Sequence, residues 1–176
     1  MKKLFKWVFV IIIFLQAAVL VAGVVIFRMP LPDHEIDVSG LPLTDFVEII
    51  RDERGIPHIY GTNVDDILFA QGYVHAQDRF WQLEFWSHLS TGRLASLIGE
   101  PGVGADLLFR TFGFNRVALE EYESLPPEFK QDLISYSKGI NAYIESRPQN
   151  RLSLEHFVLQ FLNPDYVVGE YQPHYP

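Results

Sequence analysis

Histidines and carboxylates are the residues of this sequence that could do chemistry. There are six histidines: His34, His58, His75, His88, His156 and His174. His75 and Asp78 are three apart, and Glu84 and His88 four apart. On a helix each spacing places the pair on one face, where it could share a metal ion. A zinc site needs three or four converging donors, so packing is the expected role of these pairs. A metal-dependent hydrolase on His75, Asp78 and His88 is the least favoured alternative. The adjacent acids Asp52, Glu53 and Asp65, Asp66 have the composition of acid–base pairs. Their expected positions, a hairpin turn and the first turn of a helix, account for acids without catalysis. The chain has no cysteine, which excludes disulfides, Cys-ligated zinc, iron–sulfur clusters and a thiol nucleophile. There is no G-x-S-x-G elbow, Walker loop or H-E-x-x-H. Gly99, Gly102 and Gly104 lack dinucleotide-binding spacing and read as a turn.

Gln77-Asp78-Arg79 stands apart. It lies midway along an apolar helical pattern, beside Phe80 and Trp81. Adjacent helical residues diverge by about 100° and do not pair simply with each other. A buried ion needs a partner, so at least one of the two charges is expected to reach another element. Arg51 and Asp52, at the end of a strand, are the candidates, giving a polar clasp between hairpin and helix.

The elements that would hold these residues follow from pattern. Thr44–Arg51 and Ile56–Tyr60 read as strands around the turn Asp52–Gly55, a β-hairpin. Asn63 suits an N-cap, and apolar periodicity runs from Val64 to about Ser90, with Gly72 a place where the helix bends or breaks and Gly92 a C-terminal cap. Arg93–Ile98 is a short helical piece. Asp106 is expected to cap a helix running to about Ser124. Pro126 and Pro127 open a helix burying Phe129, Leu133, Tyr136, Ile140 and Tyr143, and Pro148 closes it. Leu152–Leu162 is a last short helix. The segment 165–176 shows no periodicity.

The N-terminus differs in kind. Residues 8–27 form twenty positions with one polar side chain, Gln16, enough as a helix to span about 30 Å of hydrocarbon. Lys2, Lys3, Lys6 and Arg28 flank or precede its ends without any acid, so residues 29–176 carry −12 against −8 for the whole chain. The cations place the N-terminus in the cytoplasm and the rest outside. The run exceeds the apolar stretch of a cleaved signal peptide, so a retained anchor at Val8–Phe27 is expected, with a periplasmic or secreted product after cleavage as the alternative. Residues 29–43 read as a Pro-rich linker, and 44–176 as the folded part. So acidic a body argues against nucleic acid as a partner.

The stretches Ile50-Arg-Asp-Glu-Arg-Gly-Ile-Pro-His-Ile-Tyr60 and Ala70-Gln-Gly-Tyr-Val-His-Ala-Gln-Asp-Arg-Phe-Trp-Gln82 resemble the opening of the penicillin acylase (penicillin amidase) family. Thr91-Gly-Arg-Leu-Ala-Ser96, Gly139-Ile-Asn-Ala-Tyr143 and Leu152-Ser-Leu-Glu155 fit that family's order. With the N-terminal transmembrane helix, the hairpin and the helices make an α+β chain. The resemblance implies that the hairpin and helices form an incomplete part of an αββα N-terminal-nucleophile hydrolase fold. The long apolar segment departs from the cleaved leader of many members and suggests a membrane-anchored form. The resemblance also implies an exported precursor cut into two subunits. The freed N-terminal serine of the second would attack linear amides of N-acyl compounds such as penicillins or acyl-homoserine lactones. It implies that the nucleophile, the acyl pocket and any calcium ligands lie downstream, so no catalytic, cofactor or metal residue is assigned here. Arg51, Asp52, Gly55, Pro57, His58, Gln77, Asp78 and Arg79 become scaffold residues, and the partner of this chain is the remainder of the precursor. Poor stability in isolation, with apolar faces exposed, is expected. A non-catalytic membrane-tethered interaction module of the same descent is the alternative.

Overall fold

The computed structural model describes residues 2–31 and 39–175. Residues 32–38 of the expected linker, Pro32 and His34 among them, lie outside the described residues. Helix α1, Lys2–Arg28, is followed by strands β1 (Glu48–Arg51) and β2 (Pro57–Tyr60). Helices α2 (Val64–Ser90), α3 (Ala95–Ile98), α4 (Val103–Phe112), α5 (Phe114–Ser124), α6 (Pro127–Glu145) and α7 (Leu154–Leu162) complete the chain. The body is mostly helical with one two-stranded antiparallel sheet.

α1 is apolar all round, and none of its hydrophobic span from Lys6 to Arg28 is buried. It is long and apolar enough to cross a bilayer, a description that a signal sequence also meets.

The hairpin pairs Glu48 with Tyr60 and Arg51 with Pro57. Asp52 Oδ1 accepts the backbone N–H groups of Arg54 and Ile56, both at 2.9 Å. Gly55, at φ 78°, takes the left-handed conformation that closes the turn. Asn63 caps α2 by accepting the N–H of Asp66 at 2.8 Å. Asp66 in turn accepts the backbone N–H of Thr44 (3.0 Å) and of Asp45 (2.8 Å) and the Asn63 amide. It is buried as a fastener of the strand that enters the hairpin. Burial raises its carboxyl pKa, but the Asn63 bond and the two backbone bonds outweigh that and hold it below the usual range.

The core is the packing of α2 against α6. Tyr73, Ala76, Phe80 and Leu83 meet Ile140 and Tyr143, with the Tyr73 and Tyr143 rings edge to face at 5.6 Å. The backbones approach closely at two glycines. A Cβ on Gly72 would lie 2.0 Å from the Tyr136 carbonyl oxygen, and one on Gly139 would lie 1.9 Å from that of Phe69. Gly72 therefore does not break α2; it admits α6. The departure from helical geometry comes at Arg79 (φ −139°, ψ 31°).

Three other expectations are corrected. The segment expected as one helix to Ser124 is two, because Gly113 at φ 73° ends α4 and turns the chain into α5. Asp106 does not cap that helix. Its carboxylate accepts the N–H of Leu94 (2.6 Å) and Ala95 (2.9 Å), holding the start of α3 instead. On α6, Ile140 and Tyr143 are buried and Tyr136 half-buried, as the pattern requires, but Phe129 and Leu133 face solvent.

The aperiodic tail is ordered by side chains. Asn141 brackets Tyr171, accepting its N–H at 2.7 Å and donating to its carbonyl at 3.0 Å. Val168 and Tyr171 join the core, and Arg93 donates to Tyr175 Oη at 2.8 Å.

Candidate functional site

The charged residues midway along α2 meet the hairpin. Arg51 spreads both guanidinium nitrogens over Asp78: Nη1 to Oδ2 at 2.9 Å and Nη2 to Oδ1 at 2.8 Å. Nη2 also reaches Gln77 Oε1 (2.8 Å), and Nη1 reaches the Gly55 carbonyl (3.0 Å). One planar group thus joins strand, turn and helix, a geometry that suits arginine's fixed fork. Asp52 does not take part. It stays in the turn, 3.8 Å from His58 Nε2. The backbone bond from Ile56 is the largest influence lowering its pKa. Arg79 is exposed at the break in α2. Arg51→Lys is expected to lose the paired bonds and cost about 1–2 kcal/mol. Faster amide exchange across residues 48–60 would show it, and unchanged exchange would count against the clasp.

The candidate metal pairs do not converge. His75 Nδ1 meets Tyr136 Oη on α6, and Asp78 is held by Arg51. Burial, opposed by Asp78, lowers the His75 pKa. Glu84 and His88 are buried on α2 and joined by Tyr166 of the tail, whose hydroxyl donates to Glu84 Oε1 and lies 3.2 Å from His88 Nε2. His88 Nδ1 donates to the Glu84 carbonyl at 2.9 Å, which leaves Nε2 facing Tyr166. Burial raises the Glu84 carboxyl pKa, against the Tyr166 hydrogen bond. Burial, then the Glu84 charge, pushes the Tyr166 phenol above its ordinary range. Among the described residues no three His, Asp or Glu side chains gather at metal-binding distance. Asp65 accepts the Ser135 hydroxyl of α6 at 3.2 Å, and Asp66 holds backbone. Asp52, Asp65 and Asp66 thus each hold backbone or a neighbouring element.

His156 carries no spacing signal in the sequence, yet it is 2% exposed. Its ring lies against Phe80 (5.0 Å) and Trp81 (5.6 Å). Nδ1 is 3.0 Å from Ser153 Oγ, while Nε2 is buried without a hydrogen-bond partner. Burial, only partly offset by Glu155, brings its pKa down to about 4. An open apolar groove of about 600 Å³ runs nearby, between α3 and α7, lined by Trp81, Leu97, Ile98, Val158 and Leu162. Its side chains are apolar apart from Glu155 and Asn163. Among the described residues, the polar side chains of Arg51, Asp106 and Glu84 fasten elements together.

The penicillin amidase family's sequence model matches residues 46–175. Penicillin acylase 2 proenzyme of Pseudomonas sp. (strain SE83) is 39% identical over 100 residues, covering 57% of this chain and 13% of that protein. The acyl-homoserine lactone acylase QuiP of Pseudomonas putida is 35% identical over 102 residues, 58% of this chain and 12% of that protein. Penicillin G acylase of Escherichia coli is 33% identical over 99 residues, 56% and 12%. The matches thus span about an eighth of the length of these relatives. The solved structure of a thermostable penicillin G acylase from Alcaligenes faecalis superposes with a TM-score of 0.59 at 23% identity, covering 73% of this chain and 67% of that one. That likeness is one of fold. The matched span contains the hairpin, its clasp on α2 and the glycine crossing of α2 and α6, and on that span the chain belongs to the penicillin amidase family.

Proposed function

We propose that this chain is the N-terminal portion of an exported amidohydrolase that cleaves linear amide bonds of N-acyl compounds, of the penicillin or acyl-homoserine lactone type. The family match over residues 46–175 carries the reading. In it, the bond-breaking groups belong to the remainder of a precursor: an N-terminal serine as nucleophile, its α-amine as base and donors for the oxyanion. The present residues build part of the helical layer of an αββα fold. Two observations support that division. The buried carboxylates Asp66, Glu84 and Asp106 hold backbone or the tail. Large apolar side chains remain exposed, among them Phe46 at 80%, Phe161 at 75% and Leu162 at 79%, surfaces suited to a covering partner.

The reading includes α1 as a retained single-pass anchor, N-terminus in the cytoplasm and residues 29–176 outside. The cations before the apolar run and its length support this.

The test is enzymatic. The purified chain should release no acyl group from an N-acyl chromogenic amide, and the full precursor from the same gene should do so. Its activity should vanish when the serine that begins the second subunit is replaced by alanine. Turnover by the chain alone, or an inert precursor with no such serine, would refute the proposal; the latter would favour a tethered, non-catalytic module.

A further inference from the structure

α1 does not hang free of the body. The carbonyl of Pro30, two residues past its end, accepts a hydrogen bond from Arg147 Nη1 at 3.2 Å, and Pro30 is buried. The same nitrogen lies 3.0 Å from Tyr143 Oη and 3.0 Å from the Arg151 carbonyl. It is thus fixed by the end of α6 and by the turn that leads to α7. Phe27 and Leu31 share an open groove of about 410 Å³ with Arg79 and Gln82 from the break in α2, and with Leu154 and Glu155 at the start of α7.

Resting on the reading of α1 as a retained anchor, we infer that this face of the body lies in the lipid headgroup layer. The face comprises the α2 break, the end of α6 and the start of α7. An apolar run that ends at Phe27 sets that residue at the edge of the hydrocarbon, and roughly 5–7 Å of headgroup region follows. Residues that share a groove with Phe27 and Leu31 fall in that layer. Their chemistry suits it. Arg28 and Arg79 present exposed guanidinium groups to lipid phosphates. Phe27 and Leu31, 64% and 62% exposed, are apolar surface beside them. Trp81, half-buried in the same groove, carries the amphipathic ring that prefers this depth. Glu128, on the first turn of α6, lies roughly 25 Å along the helix axis from the end of α6 that holds Pro30, and the inference sets it outside the headgroup layer. The body is therefore seated in one orientation and not swung on a tether.

The absence of cysteine makes the test direct. Gln82→Cys, Glu155→Cys and Glu128→Cys, all at exposed positions, are each labelled with a thiol-reactive bimane in the full chain. The labelled chains are then reconstituted in phosphatidylcholine–phosphatidylglycerol vesicles that contain a lipid with a headgroup nitroxide. The inference expects several-fold stronger quenching at positions 82 and 155 than at 128, with unchanged circular dichroism. Equal quenching at all three in a chain of intact mass, or strongest quenching at 128, overturns the seating alone. A mass lacking the α1 segment after expression in a host membrane overturns the retained anchor and this inference with it.

Discussion

Gly139→Ala should pull α2 and α6 apart. The added methyl would sit 1.9 Å from the Phe69 carbonyl oxygen, 2.8 Å from the Phe69 carbonyl carbon and 2.8 Å from the Tyr73 nitrogen. These are backbone atoms of a helix, which cannot swing aside as the tip of a side chain would. The helices must separate, and Tyr73, Ala76, Ile140 and Tyr143 lose their fit together. Overpacking of this kind costs about 3 kcal/mol or more. Gly72→Ala, facing the Tyr136 carbonyl at 2.0 Å, should cost as much. Gly104→Ala is the contrast. It lies in α4 with open space around its Cβ, and the gain in helix propensity should stabilise by up to about 1 kcal/mol. Denaturant titration of the three variants in detergent, followed by near-ultraviolet circular dichroism, reads the order. A Gly139→Ala chain as stable as the parent would show that the crossing is not closely packed.

Acid should unfold the body through His156. Its pKa is about 4 in the folded chain against about 6.5 when unfolded. Above the unfolded value both states are neutral and the group is indifferent to pH. Between about 6.5 and 4 the unfolded chain binds the proton first, so stability falls as pH falls; below about 4 the loss is complete. A shift of that size corresponds to roughly 3 kcal/mol. Glu84 works in the opposite direction, because burial raises its carboxyl pKa and the folded state then takes up its proton more readily. The two are separated by substitution: His156→Gln should reduce the fall between pH 6.5 and 4, leaving the contributions of His75 and His174 in the same direction and of Glu84 in the opposite one. An unfolding free energy with the same pH slope in parent and variant would exclude His156 as the acid-sensitive group.

How much of this was legible beforehand differs from residue to residue. The clasp was legible because an Asp beside an Arg in an apolar helix limits the partners, and Arg51 stood at the end of the preceding strand. The hairpin was legible because Asp52 and Gly55 make a turn from local backbone chemistry. The length of α1 and the prolines bounding α6 were equally local signals, and the quoted motifs sufficed to identify the family. The strands came out shorter than the β-branched run suggested, since Thr44 and Asp45 give their N–H groups to Asp66 and not to a sheet.

The sequence by itself therefore determined the hairpin turn, the helical segments in outline and a run long and apolar enough to cross a bilayer, because those depend on neighbours a few residues away. Tertiary structure decided that Gly72 admits a helix instead of ending one, and that Asp106 caps α3 from α4. It also decided that Asn141 orders the tail and that His156 lies uncharged among aromatic rings. Each of these roles is set by an atom contributed from more than ten residues away. Periodicity tells which face of a helix is covered; the identity of the group covering it is fixed only when the chain has folded back on itself.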